Sequence, residues 1–343
     1  MRIAHIRERN APTGAPFRLA AALSGDRWLD LESARRRLVR DDYRLQHNEP
    51  LFRRTITTLD DHLAAGARVE VLRALVEPFS SGDRSGNQEG DEDLTLDPDG
   101  LNFGPPMLRP NSLRDFYAFE RHVATMWGRR GQEVPEAWYR LPIFYFGNVS
   151  EVRGPGDPVW RPAASSELDY ELEIAALIDT PALDLPAERA EEAIGGYTIF
   201  NDWSARDLQR DETAVRLGPA KGKDFAASFG PCLVTPDELA DARQGKGYAL
   251  TATAEVNGQE LSRGSWSDIN FSFGEMLARA SADARLRPGD LIGSGTVGTG
   301  CLLEIKDTSG FGRWLQTGDV VTLRVERLGE LTNPIVERPK SRQ

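Results

Sequence analysis

The chain is poor in cysteine, histidine and lysine, and it has no long apolar run. Cys232 and Cys301 are its two thiols in 343 residues. Two cannot make a disulfide framework, and neither lies in a CxxC spacing. Both sit beside apolar residues and read as small buried hydrophobes. No stretch approaches the roughly 18 consecutive apolar residues of a membrane span. The opening MRIAHIRERN has no apolar core of a secretory signal, so a cytoplasmic protein without a membrane partner is expected. Positive charge is in deficit, with 42 Lys and Arg against 53 Asp and Glu and a net charge of −11. That balance repels nucleic acid, and no nucleic-acid partner is expected. The one basic cluster, Arg35 to Arg37, is flanked by acids in a helical stretch and reads as a solvated face.

What is present is ordinary for a globular protein: 40% hydrophobic and 28% charged residues. The texture divides the chain into a small N-terminal domain, 1–104, and a larger one, 105–343. In the first, RLAAALSGDRWLDL places two apolar runs around Ser24-Gly25-Asp26, a hairpin signal. LESARRRLV and LDDHLAAGARVEVLRALV read as helices, with Asp60 able to cap the second. Residues 80–100, rich in Gly, Ser and acid, read as a linker or surface loop. In the second part short strand-like runs recur (RLPIFYFGN, ELDYELEIAALI, GYTIFNDW, ALTATAEVNG, VVTLRVERL), and few helices interrupt them. The fold class expected is mixed, β-rich α+β, without a βαβ alternation.

The stretch from Glu167 to Ala175 is the most informative. In a strand alternate side chains share a face, so Glu171 projects with Glu173, and Glu167 with Asp169. Like charges on one face repel, and the run then turns apolar (IAALI), as if entering a core where unpaired carboxylates are costly. A bound cation relieves this, and oxygen ligands favour Mg²⁺, Ca²⁺ or Mn²⁺ over zinc. An acidic, exposed strand edge would read the same way. The stretch from Phe200 to Gln209 then follows a strand, GYTIF, and reads as the start of a helix. On a helix Asp202, Arg206 and Gln209 fall on one face, where an anion, a cation and an amide suit a polar site. His122 is the one histidine of the strand-rich part. If DFYAFERH is helical, it shares a face with Asp115, and histidine is the usual general base near neutral pH. Gly293 to Gly298 follows a short strand with no helix after it, so it lets backbone approach a ligand rather than cradling a dinucleotide.

DFYAFERH, LPIFYFGN, LDYELEIA, NDWSARDLQ, GPAKGKDF and SGT followed by CLLE occur in an order that resembles fumarylacetoacetase and its relatives. The resemblance covers residues 115–304 and is most specific at NDWSARDLQ. It implies a β-roll C-terminal domain behind a small N-terminal β-rich domain, assembled as a homodimer. It also implies one divalent cation, Mg²⁺ or Ca²⁺ with Mn²⁺ an alternative, held by Asp115, Glu171, Glu173 and Asp202. His122 is implied as the general base that activates water, oriented by Glu304. Arg206 and Lys223 are implied to face developing negative charge, and Tyr117, Tyr145, Gln209 and Thr296 to contact substrate. The activity implied is hydrolysis of a carbon–carbon bond in a diketo acid such as fumarylacetoacetate or an acylpyruvate. Thr213, Ala227 and Gly131 stand where fumarylacetoacetase has Tyr, Thr and Arg. Two other readings follow from the same residues: decarboxylation or tautomerisation of a 2-keto acid, and a cation-binding β protein without catalysis.

Overall fold

In the computed structural model, which describes residues 1–12, 14–23, 27–80 and 94–339, the chain is a mixed α+β protein. One twelve-stranded sheet organises it. Its order is Thr95–Leu96, Trp28–Asp30, Arg18–Ala22, Arg2–Glu8, Ala227–Val234, Ile194–Asp202, Leu172–Ile178, Asp290–Gly293, Ser112–Phe116 and Phe144–Gly147. Leu101–Phe103 pairs onto Arg2–Glu8, and Val152–Arg153 onto Ala227–Val234. Leu172–Ile178 and Ile194–Asp202 are buried at every position, as strands covered on both faces are, and they accordingly read as near-continuous apolar runs. The four-stranded antiparallel sheet of Gln259–Ser265, Thr251–Val256, Val320–Val325 and Gly329–Pro334 shows clearer alternation of buried and exposed residues, notably in Val320–Val325. Helix Phe273–Ser281 starts at a capping box formed by Ser272 and Glu275. Phe273 and Trp266 both pack on Tyr197, with ring centroids 5.2 and 4.9 Å away.

The expected hairpin forms: Arg18–Ala22 pairs antiparallel with Trp28–Asp30, while Ser24, Gly25 and Asp26 lie outside the described residues. Of the stretch expected as a linker, 81–93 also lies outside them, but Thr95–Leu96 is a strand paired with Trp28–Asp30. LESARRRLV is helical, within Leu31–Asp41. Arg35, Arg36 and Arg37 on it pair with Glu32 and Asp41. The second expected helix is broken into Leu59–Ala64, a 3₁₀ turn Val69–Leu72 and Arg73–Ser80. Gly66, with φ +78, ends the first piece in a conformation that favours glycine. Asp60 does not cap it. Thr58 does, accepting from the Asp61 amide, and the Asp60 carboxylate instead accepts the Leu108 and Arg109 amides at 3.1 and 2.6 Å. His5, fully buried, donates through Nδ1 to Pro105 O at 2.8 Å and accepts the Leu59 amide at Nε2 at 3.0 Å. Among the described residues no helix is long and apolar enough to cross a membrane.

Candidate active site

Several strand ends and the helical elements that carry His122, Arg206 and Glu304 converge on one buried polar cluster. Asp115 lies near the end of Ser112–Phe116, opposite Gly293 of the parallel strand and Tyr145 of the antiparallel one. Glu173 is the second residue of Leu172–Ile178, and Asp202 the last of Ile194–Asp202. One oxygen from each of these three buried carboxylates falls within 4.8 Å of the others. The Gly295 amide ties two of them together, donating to Glu173 Oε2 at 3.0 Å and Asp115 Oδ1 at 3.2 Å. A Cβ on Gly295 would stand 2.5 Å from Phe116 O, and its φ is +77, so the close packing of this turn on the Phe116 backbone depends on glycine. Thr296 Oγ1 donates to Glu173 at 3.3 Å, and the Tyr145 hydroxyl to Asp202 at 2.7 Å.

Glu171 is held differently. It bridges to Cys301 rather than lying inside the strand, and its carboxylate accepts Arg206 Nη2 at 2.7 Å and Lys223 Nζ. Lys223 also donates to Asp202. Arg206 Nε donates to Asp169 at 2.8 Å, and Gln209 accepts from Arg206 Nη1 at 3.1 Å. Electrostatics separates the two groups. Burial and the neighbouring Asp202 raise Asp115 well above the usual carboxylate range, and burial with Asp115 and Asp202 does the same to Glu173. Burial raises Asp202 as well, against the pull of Lys223. Burial also opposes ionisation of Glu171, yet Arg206, Lys223 and His122 outweigh it and hold that carboxyl below its ordinary value.

The third component is His122, buried on helix Glu120–Gly128. Its Nδ1 lies 3.1 Å from Glu304 Oε2, and Tyr117 meets the imidazole edge-on, with centroids 5.3 Å apart. Glu304 sits on the helical turn Leu302–Ile305. The Glu171–Cys301 bridge and the Leu172 amide donating to Gly300 O at 2.9 Å place that turn beside the carboxylates.

The family pattern described as fumarylacetoacetate (FAA) hydrolase C-terminal matches residues 112–336. The chain belongs to that family. Among its relatives, a mitochondrial oxaloacetate tautomerase of Xenopus laevis is 31% identical over 206 residues, 60% of each chain. A Mycobacterium tuberculosis protein is 32% identical over 222 residues, 64% of this chain and 72% of that one. The match thus spans less than two thirds of the frog enzyme. Similar solved folds are a fumarylacetoacetate hydrolase from Exiguobacterium antarcticum (TM-score 0.67, 23% identity, 98% of this chain and 100% of that one) and a maleylpyruvate hydrolase from Sphingobium (TM-score 0.64, 20% identity, 98% and 99%). At that identity they speak to the fold, which is the one expected. Members of the fumarylacetoacetate hydrolase family commonly bind a divalent metal, and this chain has groups that could hold one. The donor set fits: Asp115, Asp169, Glu171, Glu173 and Asp202 are all buried, and among the described residues Arg206 and Lys223 are the cations paired with them. A hard divalent ion would offset the remaining negative charge.

All twelve residues singled out in the sequence lie in or against this cluster, but two of the helical arguments that grouped them do not hold. Asp115 and His122 do not share a helix face, because Asp115 is in a strand and the helix begins at Glu120. Asp202 likewise ends a strand, and helix Arg206–Ala214 starts four residues later with Ala205 as its cap residue. Lys221, exposed, pairs with Asp224 at 2.8 Å, as a surface lysine would. Asp169 was given no role in the sequence reading and proves central. Fully buried, it accepts Arg206 on one side and the Leu302 and Leu303 amides, at 2.8 and 3.0 Å, on the other. The period-two pattern pairs it with Glu167, but Glu167 is instead at the surface edge with Arg210.

Proposed function

We propose that this family member hydrolyses a carbon–carbon bond in a 1,3-diketo acid, fumarylacetoacetate or an acylpyruvate, with His122 as general base. The observation that carries the reading is the buried His122–Glu304 pair, 3.1 Å apart, set beside the carboxylate cluster. Glu304 at Nδ1 favours the tautomer that leaves Nε2 to take a proton from water. The resulting hydroxide adds to one carbonyl, the adjacent carbon–carbon bond breaks, and the proton held by His122 returns to the carbon fragment that departs. Asp115, Glu173 and Asp202, with Glu171 as a fourth donor, would hold one divalent cation, Mg²⁺, Ca²⁺ or Mn²⁺, which when bound supplies Lewis-acid polarisation. Arg206 and Lys223 keep Glu171 ionised and contribute positive potential where negative charge develops. The Tyr145 and Thr296 hydroxyls are directed at Asp202 and Glu173, which suits holding carboxylates in place, so substrate contact falls mainly to Tyr117 and Gln209. The working unit is proposed to be a homodimer, checked by light scattering.

The test is an ultraviolet assay. Protein treated with EDTA is supplied with Mg²⁺, Mn²⁺ or Ca²⁺, and loss of the enol absorbance of fumarylacetoacetate and several acylpyruvates is followed. Metal-dependent loss with formation of an acid and a ketone fragment is expected. A second reading is tautomerisation or decarboxylation of a 2-keto acid such as oxaloacetate, favoured by the 31% identity to the frog tautomerase. It requires no attacking water. Oxaloacetate turnover without cleavage of any diketone would select it.

A further inference from the structure

The His122–Glu304 pair has a third neighbour that the proposed reaction does not use. Cys301 occupies the position just before the Leu302–Ile305 turn, it is fully buried, and its Sγ lies 3.7 Å from Glu304 Oε2. A ring nitrogen of His122, the Cys301 sulfur and a Glu304 oxygen all fall within 4.8 Å of one another. Two atoms of this group, His122 Nδ1 and Glu304 Oε1, are buried without a hydrogen-bond partner. Buried polar atoms ordinarily find partners. His122 Nδ1 lies 3.1 Å from Glu304 Oε2 yet makes no hydrogen bond with it, and an ion held between the two groups would satisfy that nitrogen.

We infer that His122, Cys301 and Glu304 form a second cation site, suited to Zn²⁺ rather than to the hard ion that fits the Asp115 cluster. One nitrogen, one sulfur and one oxygen are a borderline-soft set, which zinc accepts and Mg²⁺ or Ca²⁺ does not. The spacing agrees as well. Tetrahedral zinc with ordinary bond lengths has N···O edges of roughly 3.3 Å and S···O edges of about 3.5 Å. The corresponding separations here are 3.1 and 3.7 Å. On binding, the thiol releases its proton to solvent and the thiolate takes the ion. Three protein ligands leave one position for water. Zinc in this site would immobilise the imidazole and occupy the carboxylate that orients it, so it would inhibit turnover. That consequence rests on the general-base reading, whereas binding itself does not.

The experiment uses Co²⁺ as a spectroscopic stand-in and needs no substrate. With the carboxylate cluster first saturated by Mg²⁺, Co²⁺ is titrated into the EDTA-treated full chain. A thiolate-to-cobalt charge-transfer band at one equivalent is expected, displaced by Zn²⁺, absent from Cys301→Ser and retained in Cys232→Ser. Absence of the band from the unsubstituted chain, or its persistence in Cys301→Ser, overturns the proposal. Cys301→Ala replaces Cys301→Ser should the hydroxyl not be tolerated at this buried position. Zinc inhibition is then read for each protein against its own Mg²⁺-supported rate. A band without inhibition would leave the zinc site standing and count against His122 as the base.

Discussion

Asp169 and Arg206 meet in the interior, Oδ2 to Nε at 2.8 Å, and the same carboxylate holds the amides that begin the turn carrying Glu304. Asp169 thereby links the guanidinium on one side of the cluster to the histidine pair on the other. Asp169→Asn should cost about 3–5 kcal/mol of stability, as breaking a buried ion pair does. Denaturant unfolding measures this. In the surviving folded protein kcat should fall more than KM rises. A kcat that stays unchanged would reduce Asp169 to a purely structural role.

His122→Ala should lower turnover by about 10²–10⁴-fold, the usual contribution of a general base, while Mn²⁺ affinity measured by calorimetry stays near that of the parent. Retained cleavage would remove His122 from the chemistry.

Glu173 and Glu171 should separate on substitution. Glu173 accepts the neutral Gly295 amide and Thr296 hydroxyl and is grouped with Asp115 and Asp202, whereas Glu171 is already matched by Arg206 and Lys223. Glu173→Gln is therefore expected to weaken divalent-ion binding more than Glu171→Gln does, read by calorimetry. Equal losses would give Glu171 the same weight as the other three ligands.

Gly295→Ala forces a Cβ against Phe116 O in a left-handed backbone conformation. A destabilisation of more than about 1 kcal/mol is expected, together with weaker divalent-ion binding, because the amide shared by Glu173 and Asp115 must shift. A thermal melt with and without Mn²⁺ reads both effects.

Acid stability should depend on Glu32. Burial opposes its ionisation, but hydrogen bonds from Arg35, the Ile56 amide and Arg36 outweigh burial and hold its folded-state pKa at about 2, against an ordinary 4.5. A depressed carboxyl pKa means stability that is fully present above the unfolded value and lost as pH falls through the folded one. The chain should lose this contribution between about pH 4.5 and 2, and Glu32→Gln should flatten the melting temperature over that interval. An unchanged slope would show that other carboxylates dominate.

The carboxylate cluster was legible because strand periodicity is local: alternation from Glu167 to Glu173 needs only neighbours to be noticed. What separates Glu171 from Glu173 was not, because Arg206 and Lys223 reach Glu171 from 35 and 52 residues away. Asp169 escaped for the same reason, its amide partners lying 133 and 134 residues on. The helical grouping of Asp115 with His122 failed where the chain changes from strand to helix between Phe116 and Glu120. A sequence period has no means of marking that switch, which the parallel pairing with Asp290–Gly293 enforces. In the N-terminal stretch the run around Gly66 reads as one helix, and neither the break there nor Asp60's engagement with Leu108 and Arg109 follows from that reading.

The parallel pairing of Ser112–Phe116 with Asp290–Gly293 also dictates when the site can exist during synthesis. Ser112 and Asp290, hydrogen-bonded at 2.7 Å, are 178 residues apart. Asp115 therefore leaves the ribosome long before the strand and glycine turn that hold it, and Glu304 emerges later still. Such long-range closure makes folding slow and leaves an acidic, half-built sheet exposed meanwhile. None of its chemistry can begin before Glu304 has been made and the two strands have met.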